Sequence, residues 1–563
     1  MSATQSPQQQ DQILRLGEYQ PAVERRLGIW EDTDFAGRFW ERDHTLWSTK
    51  PRPELTNRMG WLDLFEPIHA HLKPMFDFAE QAKDEGFRHV LLLGMGGSSL
   101  APEIFQGVFG SADGYPVLQV LDSTHPDAIR RIAAGLDLSK TLFVVSSKSG
   151  TTTETTSFLN YFWSRIVESS TTPGLHFAAI SDPGTPLQQL AGERGFRRFF
   201  EGLPEVGGRY SALTLFGLVP AALVGIDSHQ LLDRGWDMAG VSASYLPVTD
   251  NPSLSLGAAL GELALAGRDK VTFFTTPSLA SFPDWIEQLI AESTGKDGKG
   301  IVPIVGEAIE EPWVYRKDRV FICYSLDSEP DERMALTAQA LEAAGHPVIY
   351  ITLGNKFDLG AEIFRWEMAV AAAGAVLGIN PFDQPDVQLA KELAHQAMEQ
   401  KAHLAKGPRQ ADRGDVETIS IEQKIVAGKA FDSFIGNARI GDYIAIQAYL
   451  DPEQEMEAAM QDFRLTLRDR LKLATTFGWG PRFLHSTGQL HKGGPPSGVF
   501  LQIVDEPEKD VPVPETNYTF GQLIHAQAIG DYRALRQRNR RVLRLNLGRD
   551  KEKSLTNLFG LLG

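Results

Sequence analysis

The sequence predicts an α/β protein built on doubly wound parallel sheets. Two observations carry that class. Between 85 and 200, short apolar runs alternate with helical stretches, and each run is followed by turn residues. The runs are Val90–Leu93, Val117–Leu121, Leu142–Val145 and Phe177–Ile180. Four- or five-residue runs without polar alternation suit parallel strands covered on both faces by helices. The same order then returns. Val271–Phe274, Val320–Cys323 and Val348–Thr352 are the next strand candidates, with helical stretches at Trp285–Ser293, Met334–Ala344 and Glu362–Leu377. In open sheets of this kind, ligands bind beyond the carboxyl ends of the strands.

The remaining elements follow in chain order. Residues 1–60 predict a helical arm, and Trp30, Phe35, Phe39, Trp40 and Trp47 give it an apolar face that packs on the protein's own body. Met1–Gln12 is rich in Gln and Ser and lacks the charged and apolar regions of a signal peptide. Met368–Ile379, rich in Ala and Gly, predicts a buried helix. Residues 401–418 are polar and predict a linker. Beyond it, Tyr443–Tyr449, Val499–Val504 and Val542–Leu547 predict strands, and Thr519–Arg540 a long helix. The expected regions are 1–60, 61–245, 246–400 and a C-terminal α/β extension over 401–563. No tandem repeat shows in the sequence.

Composition narrows the function. The 563 residues exceed one domain of roughly 100–200 several times over. Lys plus Arg number 55 against 72 Asp plus Glu, a formal charge of −17. Such a chain repels phosphate polymers, so no nucleic-acid partner is expected, while a local basic pocket stays open to a small anion. No apolar run reaches the roughly 18 residues of a spanning helix, so no membrane partner is expected. Cys323 is the single cysteine. That excludes an intrachain disulfide and a cysteine-rich metal site, and predicts a reducing, cytoplasmic setting.

The most informative stretch is Ser146-Ser147-Lys148-Ser149-Gly150-Thr151-Thr152-Thr153-Glu154-Thr155. It follows the strand Leu142–Val145 and opens the helical run Ser157–Val167. Seven hydroxyls among ten residues exceed what helix capping needs. Together with the amides of a helix N-terminus they suit a phosphate monoester. The GxxxxGK[ST] spacing of a nucleoside triphosphate loop is absent. Gly94-Met95-Gly96-Gly97-Ser98-Ser99 follows another strand, and its glycines serve either a close ligand approach or a tight turn. Gly207-Gly208-Arg209 offers a permanent charge for an oxyanion, or a surface Arg. Gln288 and Glu292 lie four apart on one helix face, where Glu292 is either a general base or a solvated carboxylate. Phe382-Asp383-Gln384 forms a rigid turn leading into a helix that carries Lys391, catalytic or exposed. Leu484-His485-Ser486-Thr487-Gly488-Gln489 places a His in a Gly-rich stretch, an acid–base group or a loop His.

In this order and spacing, the segments resemble glucose-6-phosphate isomerase. That family is built from two sugar-isomerase (SIS) domains, and the resemblance covers about 85–400 with one further segment near 485. The family's GIGGS, SKTxTTxET, GGR, QxxxESxGK and FDQxxVxxxK patterns match Gly94–Ser98, Ser147–Thr155, Gly207–Arg209, Gln288–Lys296 and Phe382–Lys391. It is nearest the isomerase portion that some bacteria fuse to transaldolase.

The resemblance implies interconversion of glucose 6-phosphate and fructose 6-phosphate through a cis-enediolate. It implies no redox cofactor and no metal. Ser147, Ser149, Thr151 and Thr152 would hold the phosphate, with Gly97, Ser98 and Lys148 nearby. Glu292 would be the base, Arg209 the enediolate stabiliser, and Gln288 and Gln384 the positioners of hydroxyls. Lys391 would assist ring opening. A homodimer and an association with transaldolase are further implications. Two alternatives stand beside this reading: an isomerase that also acts on mannose 6-phosphate, and a non-catalytic sugar-phosphate-binding SIS protein. The family's ring-opening His normally lies between the base and the FDQ turn, where this chain has only His346, in a context that does not match. The LHSxGQ pattern instead falls at Leu484–Gln489, which assigns the role to His485 ahead of His346 or His491.

Overall fold

The computed structural model describes residues 12–404 and 416–562. Residues 1–11 and most of the expected linker lie outside them. The described residues form three five-stranded sheets. The first contains β2 (His89–Gly94), β3 (Val117–Leu121), β4 (Thr141–Ser146), β5 (Phe177–Ser181) and β6 (Arg198–Glu201), in the order β3-β2-β4-β5-β6 and parallel throughout. The second contains β7 (Lys270–Thr275), β8 (Val302–Ile304), β9 (Arg319–Leu326) and β10 (Val348–Leu353), all parallel, with β1 (Gln12–Arg15) antiparallel on the β10 edge. The third contains β11 (Ile419–Ser420), β12 (Tyr443–Tyr449), β13 (Ala474–Trp479), β14 (Gly498–Val504) and β15 (Arg541–Asn546), in the order β11-β15-β14-β12-β13 and also parallel.

These sheets share a plan that the sequence does not display. In each, four successive parallel strands lie in the spatial order fourth, third, first, second: β5-β4-β2-β3, β10-β9-β7-β8 and β15-β14-β12-β13. A fifth strand then pairs with the fourth. The C-terminal α/β region therefore repeats the strand order of the other two sheets.

Burial explains which strands form where. β4 and β12 are buried at every position, as strands covered on both faces require. β3, on an edge, alternates between exposed and buried positions. The helix Leu359–Leu377 is buried around nearly its whole circumference and ends at Gly378, whose φ of +66° a side chain would strain.

The arm packs on the protein's own body and is not wholly helical, since it supplies β1. The Trp47 indole donates to the Ala371 carbonyl (2.8 Å) and the Trp40 indole to that of Ser242 (2.9 Å). Trp40 also stacks on Phe364. Cys323 is buried within the second sheet's core, and burial pushes its thiol up to about 12, so it is no nucleophile. No helix among the described residues is long and apolar enough to cross a membrane.

Candidate active site

Three pieces of the fold converge on one place. They are the carboxyl ends of β2 and β4, the end of the helix Phe282–Thr294, and the segment that follows β13.

β4 delivers the hydroxyl loop. The Ser147 amide donates to the Ile180 carbonyl, which pins the loop to β5 (3.0 Å). Gly150 turns it with φ +65°, and a Cβ there would stand 2.8 Å from that of Thr185. The hydroxyls of Ser147 and Thr152 lie 2.9 Å apart, and those of Ser149 and Thr151 3.0 Å. Thr152 occupies the N-cap of the helix Thr153–Val167 but its side chain makes no capping bond. Capping therefore does not account for these hydroxyls. Ser149 and Thr151 are exposed while Ser147 is buried. The Lys148 ammonium is tied to Asp182 (2.6 Å) and the Leu203 carbonyl (3.0 Å), and burial lowers its pKa.

The loop after β2 has glycines because other loops press against it. A Cβ on Gly97 would fall on the Gly208 carbonyl. On Gly96, where φ is +55°, it would lie 2.7 Å from the His485 carbonyl oxygen and 3.0 Å from Gln288 Nε2. Close backbone approach is the reason for the Gly-Gly pair, and it places Ser98, itself buried, at the meeting of three segments.

Arg209 is 4% exposed, which rules out a surface role. Its Nε donates to Ser293 Oγ (2.8 Å), and Nη2 to the carbonyls of Pro381 (2.7 Å) and Asp383 (2.9 Å). Its Nη1 stands 3.5 Å from Glu292 Oε1. Glu292 is 6% exposed, so it is not a solvated carboxylate. Gln288 Nε2 donates both to Glu292 Oε2 (3.2 Å) and to the His485 carbonyl (2.7 Å), joining positions 197 apart in sequence. The Gln288 Oε1 atom is buried and unbonded.

The third unit brings His485. Its Nε2 lies 3.0 Å from Glu154 Oε1, which also accepts from Gln527 Nε2 (2.7 Å). Gln527 is held in turn by the Thr124 hydroxyl (2.7 Å). Burial opposes ionisation of Glu154, yet the charge and hydrogen bond of His485, with Lys391 adding to them, keep its pKa below the ordinary carboxylate value.

Comparison with known proteins fits this geometry. The phosphoglucose isomerase family model matches residues 77–303. A probable glucose-6-phosphate isomerase of Haloquadratum walsbyi is 31% identical over 398 residues, covering 63% of this chain and 90% of that protein. The chain belongs to the glucose-6-phosphate isomerase family. A probable member from Methanococcus maripaludis is 28% identical over 386 residues, covering 61% of this chain and 85% of that one. Among solved structures, a glucose-6-phosphate isomerase from Chlamydia trachomatis shares the fold. Its TM-score is 0.57 at 18% identity, over 68% of this chain and 86% of that one.

Within this isomerase fold, the three candidate histidines are well separated in character. His485 stands beside Gln288 and Glu154. His491 is buried against Gln447 (3.1 Å), and burial with the neighbouring Lys492 lowers its pKa far below the usual range. His346 contacts Arg268 (3.2 Å) and is pushed down to about 4 by burial and that charge. Gln384 and Lys391 are exposed.

Sequence reasoning singled out Ser147–Thr155 for its hydroxyls and passed over Glu154 in their midst. It also passed over Lys296, whose ammonium donates to the Asn380 carbonyl (2.6 Å) and pairs with Asp383 (2.9 Å). Burial and the Arg209 charge push Lys296 down to about 7. Gln489 is the third omission. It bonds the Asp386 carboxylate (2.8 Å), the Asp386 amide (2.9 Å) and the Gly295 carbonyl (3.0 Å). Thus the Gln of LHSTGQ fastens the third unit to both the FDQ turn and the Glu292 helix. Gly295 is required there because a Cβ would strike the Leu490 backbone. The signal for all three was their place inside the motifs themselves.

Proposed function

We propose that this protein interconverts glucose 6-phosphate and fructose 6-phosphate, with Glu292 as the base of a cis-enediolate mechanism. The observation that carries the reading is the Gln288 amide, which bonds the Glu292 carboxylate and the His485 loop at once. This bond ties the proposed base to the loop that carries the proposed ring-opening acid. Family membership supports the same substrate pair.

The phosphate rests on the hydroxyls of Ser147, Ser149, Thr151 and Thr152, at the positive end of the helix Thr153–Val167. Gly97 and Ser98 close that end, and Lys148 lends charge through its bracing of the loop. His485 protonates the ring oxygen as solvent water takes the proton of the C1 hydroxyl and the C1–O5 bond breaks. Glu154 stabilises the imidazolium, and Lys391 assists from the rim. Glu292 then removes the C2 hydrogen as a proton. The electrons form the C1–C2 double bond, and negative charge gathers on O1. Arg209, already fixed by three acceptors, meets that charge without reorganising. Return of the proton to C1, with transfer of the O2 proton to O1, gives the ketose. Gln288 and Gln384 orient the hydroxyls.

One chain supplies all of these groups, so a homodimer is not needed to assemble the site. A cytoplasmic location belongs to the same reading. The test supplies fructose 6-phosphate and follows NADPH through added glucose-6-phosphate dehydrogenase. Turnover that disappears in Glu292→Gln supports the proposal. Absence of turnover in the intact protein, or undiminished turnover in the variant, overturns it.

A further inference from the structure

A cavity of about 850 Å³ lies where the three units meet, separate from the site above. The second strand of every four-strand plan borders it. β3 and the end of β13 line it, as do Val305 and Gly306 just beyond β8. None of Ser147, Arg209, Glu292 or His485 reaches it. It nonetheless shares two walls with the site: the helix Phe282–Thr294 and the segment Arg482–Ser486.

Its chemistry is one-sided. The guanidinium groups in its wall are already spent on protein acceptors. Arg482 pairs with Glu103 and Asp122, Arg131 with Asp451 (2.9 Å), and Arg464 with the Thr475 carbonyl. Asp284 and Glu287, one helical turn apart, line the cavity, and their carboxyls make no hydrogen bond or ion pair with a described residue. Phe477 and Trp479, edge to face at 4.9 Å, add aromatic surface to the lining. An anion would meet the two carboxyls, with the Arg464 charge reaching Glu287 alone of the pair. An ammonium group would meet two carboxylates and an aromatic face, the combination that recognises organic cations. The volume falls within the range of small-molecule sites, roughly 300–1,000 Å³, and exceeds what a simple ammonium ion fills.

We propose that this cavity is a second ligand site, which takes a small organic cation through Asp284, Glu287 and the Trp479 ring. Burial supports the assignment. It pushes Asp284 up to about 7, with Glu457 adding to the effect, and Glu287 up to about 8, with Asp284 adding and the Arg464 charge opposing. Without a cation these carboxyls resist ionising, and a bound ammonium restores their charge.

Titration calorimetry on the full chain tests this, with the catalytic cleft kept occupied by an equilibrated fructose 6-phosphate and glucose 6-phosphate mixture. Spermidine and glucosamine are the two probes, and glucose is the uncharged control. Saturable binding of spermidine alone assigns an aliphatic polyamine, and of glucosamine alone an amino sugar. Binding of both assigns the ammonium as the shared determinant. In each supporting case glucose gives no signal, and Asp284→Asn/Glu287→Gln weakens binding at least tenfold while fructose 6-phosphate turnover persists. The single variant Glu287→Gln gives the same direction if the double variant does not fold. No binding of either probe at millimolar concentration, equal binding of glucose, or unchanged affinity in the variants overturns the proposal.

Discussion

Replacing Glu154 with Gln isolates the preparation of His485 for ring opening. The substitution keeps the shape and one hydrogen-bonding oxygen, so Gln527 retains its acceptor. It removes the negative charge 3.0 Å from His485 Nε2. Glu154 is 7% exposed, so water does not screen that loss. A hydrogen bond to a charged group contributes about 1.5–3 kcal/mol and a neutral one about 0.5–1.5. The imidazolium that donates to the ring oxygen therefore loses about 1–1.5 kcal/mol of stabilisation. At 1.36 kcal/mol per decade, that slows ring opening roughly 5- to 13-fold. The assay compares kcat on glucose 6-phosphate with kcat on an aldose 6-phosphate methylated at O4 and O5, which cannot cyclise. The cyclic substrate should show the full loss and the open one little. Equal losses on both would refute the role of the Glu154–His485 pair in ring opening.

Arg209→Lys keeps the charge but cannot satisfy Ser293, Pro381 and Asp383 together, so kcat should fall about 10²–10³-fold with a smaller change in KM. Gly97→Ala drives a methyl onto the Gly208 carbonyl and should destabilise the fold by about 1–3 kcal/mol or more, read by denaturant unfolding. Lys296, depressed to about 7 in the folded state, has an ordinary pKa of 10.5 when unfolded. Below pH 7 both states hold its proton. Between 7 and 10.5 the unfolded state binds more protons, so stability should climb with pH across that window. That climb should be absent in Lys296→Met, as chemical denaturation at a series of pH values would show.

The strands legible in the sequence and those that were not divide on physical grounds. The interior strands β2, β4, β5, β7, β9, β10, β12, β14 and β15 announce themselves as apolar runs because both faces are covered. The strands that escaped notice are β1, β6, β8, β11 and β13, all on sheet edges. β8 has three residues, β11 has two, and β6 carries Arg198 and Glu201 on its exposed positions. An edge strand needs less apolar covering, so its pattern fades into loop, with β3 the edge strand whose run Val117–Leu121 stayed legible. The shared fourth-third-first-second order was illegible because it is set by crossovers between strands, not by any run of residues.

The candidate site divides in a similar way. Hydroxyl density, the Gly-Gly-Arg turn and the Gln288–Glu292 spacing are local, and they were visible. The contacts between loops were not. Nothing in Gly96 or Gly97 says which carbonyl presses against it, and nothing near Glu154 says that a His more than three hundred residues later will rest on it. Such partners appear only once three sheets have folded against one another.

The central claim is proton transfer by Glu292 through an enediolate. Its most direct test follows deuterium in heavy water by NMR as fructose 6-phosphate and glucose 6-phosphate equilibrate. Label should accumulate at C1 of the ketose and C2 of the aldose over repeated turnovers, and both interconversion and labelling should vanish in Glu292→Gln. Interconversion that leaves those carbons unlabelled, or labelling unchanged in the variant, would contradict the account.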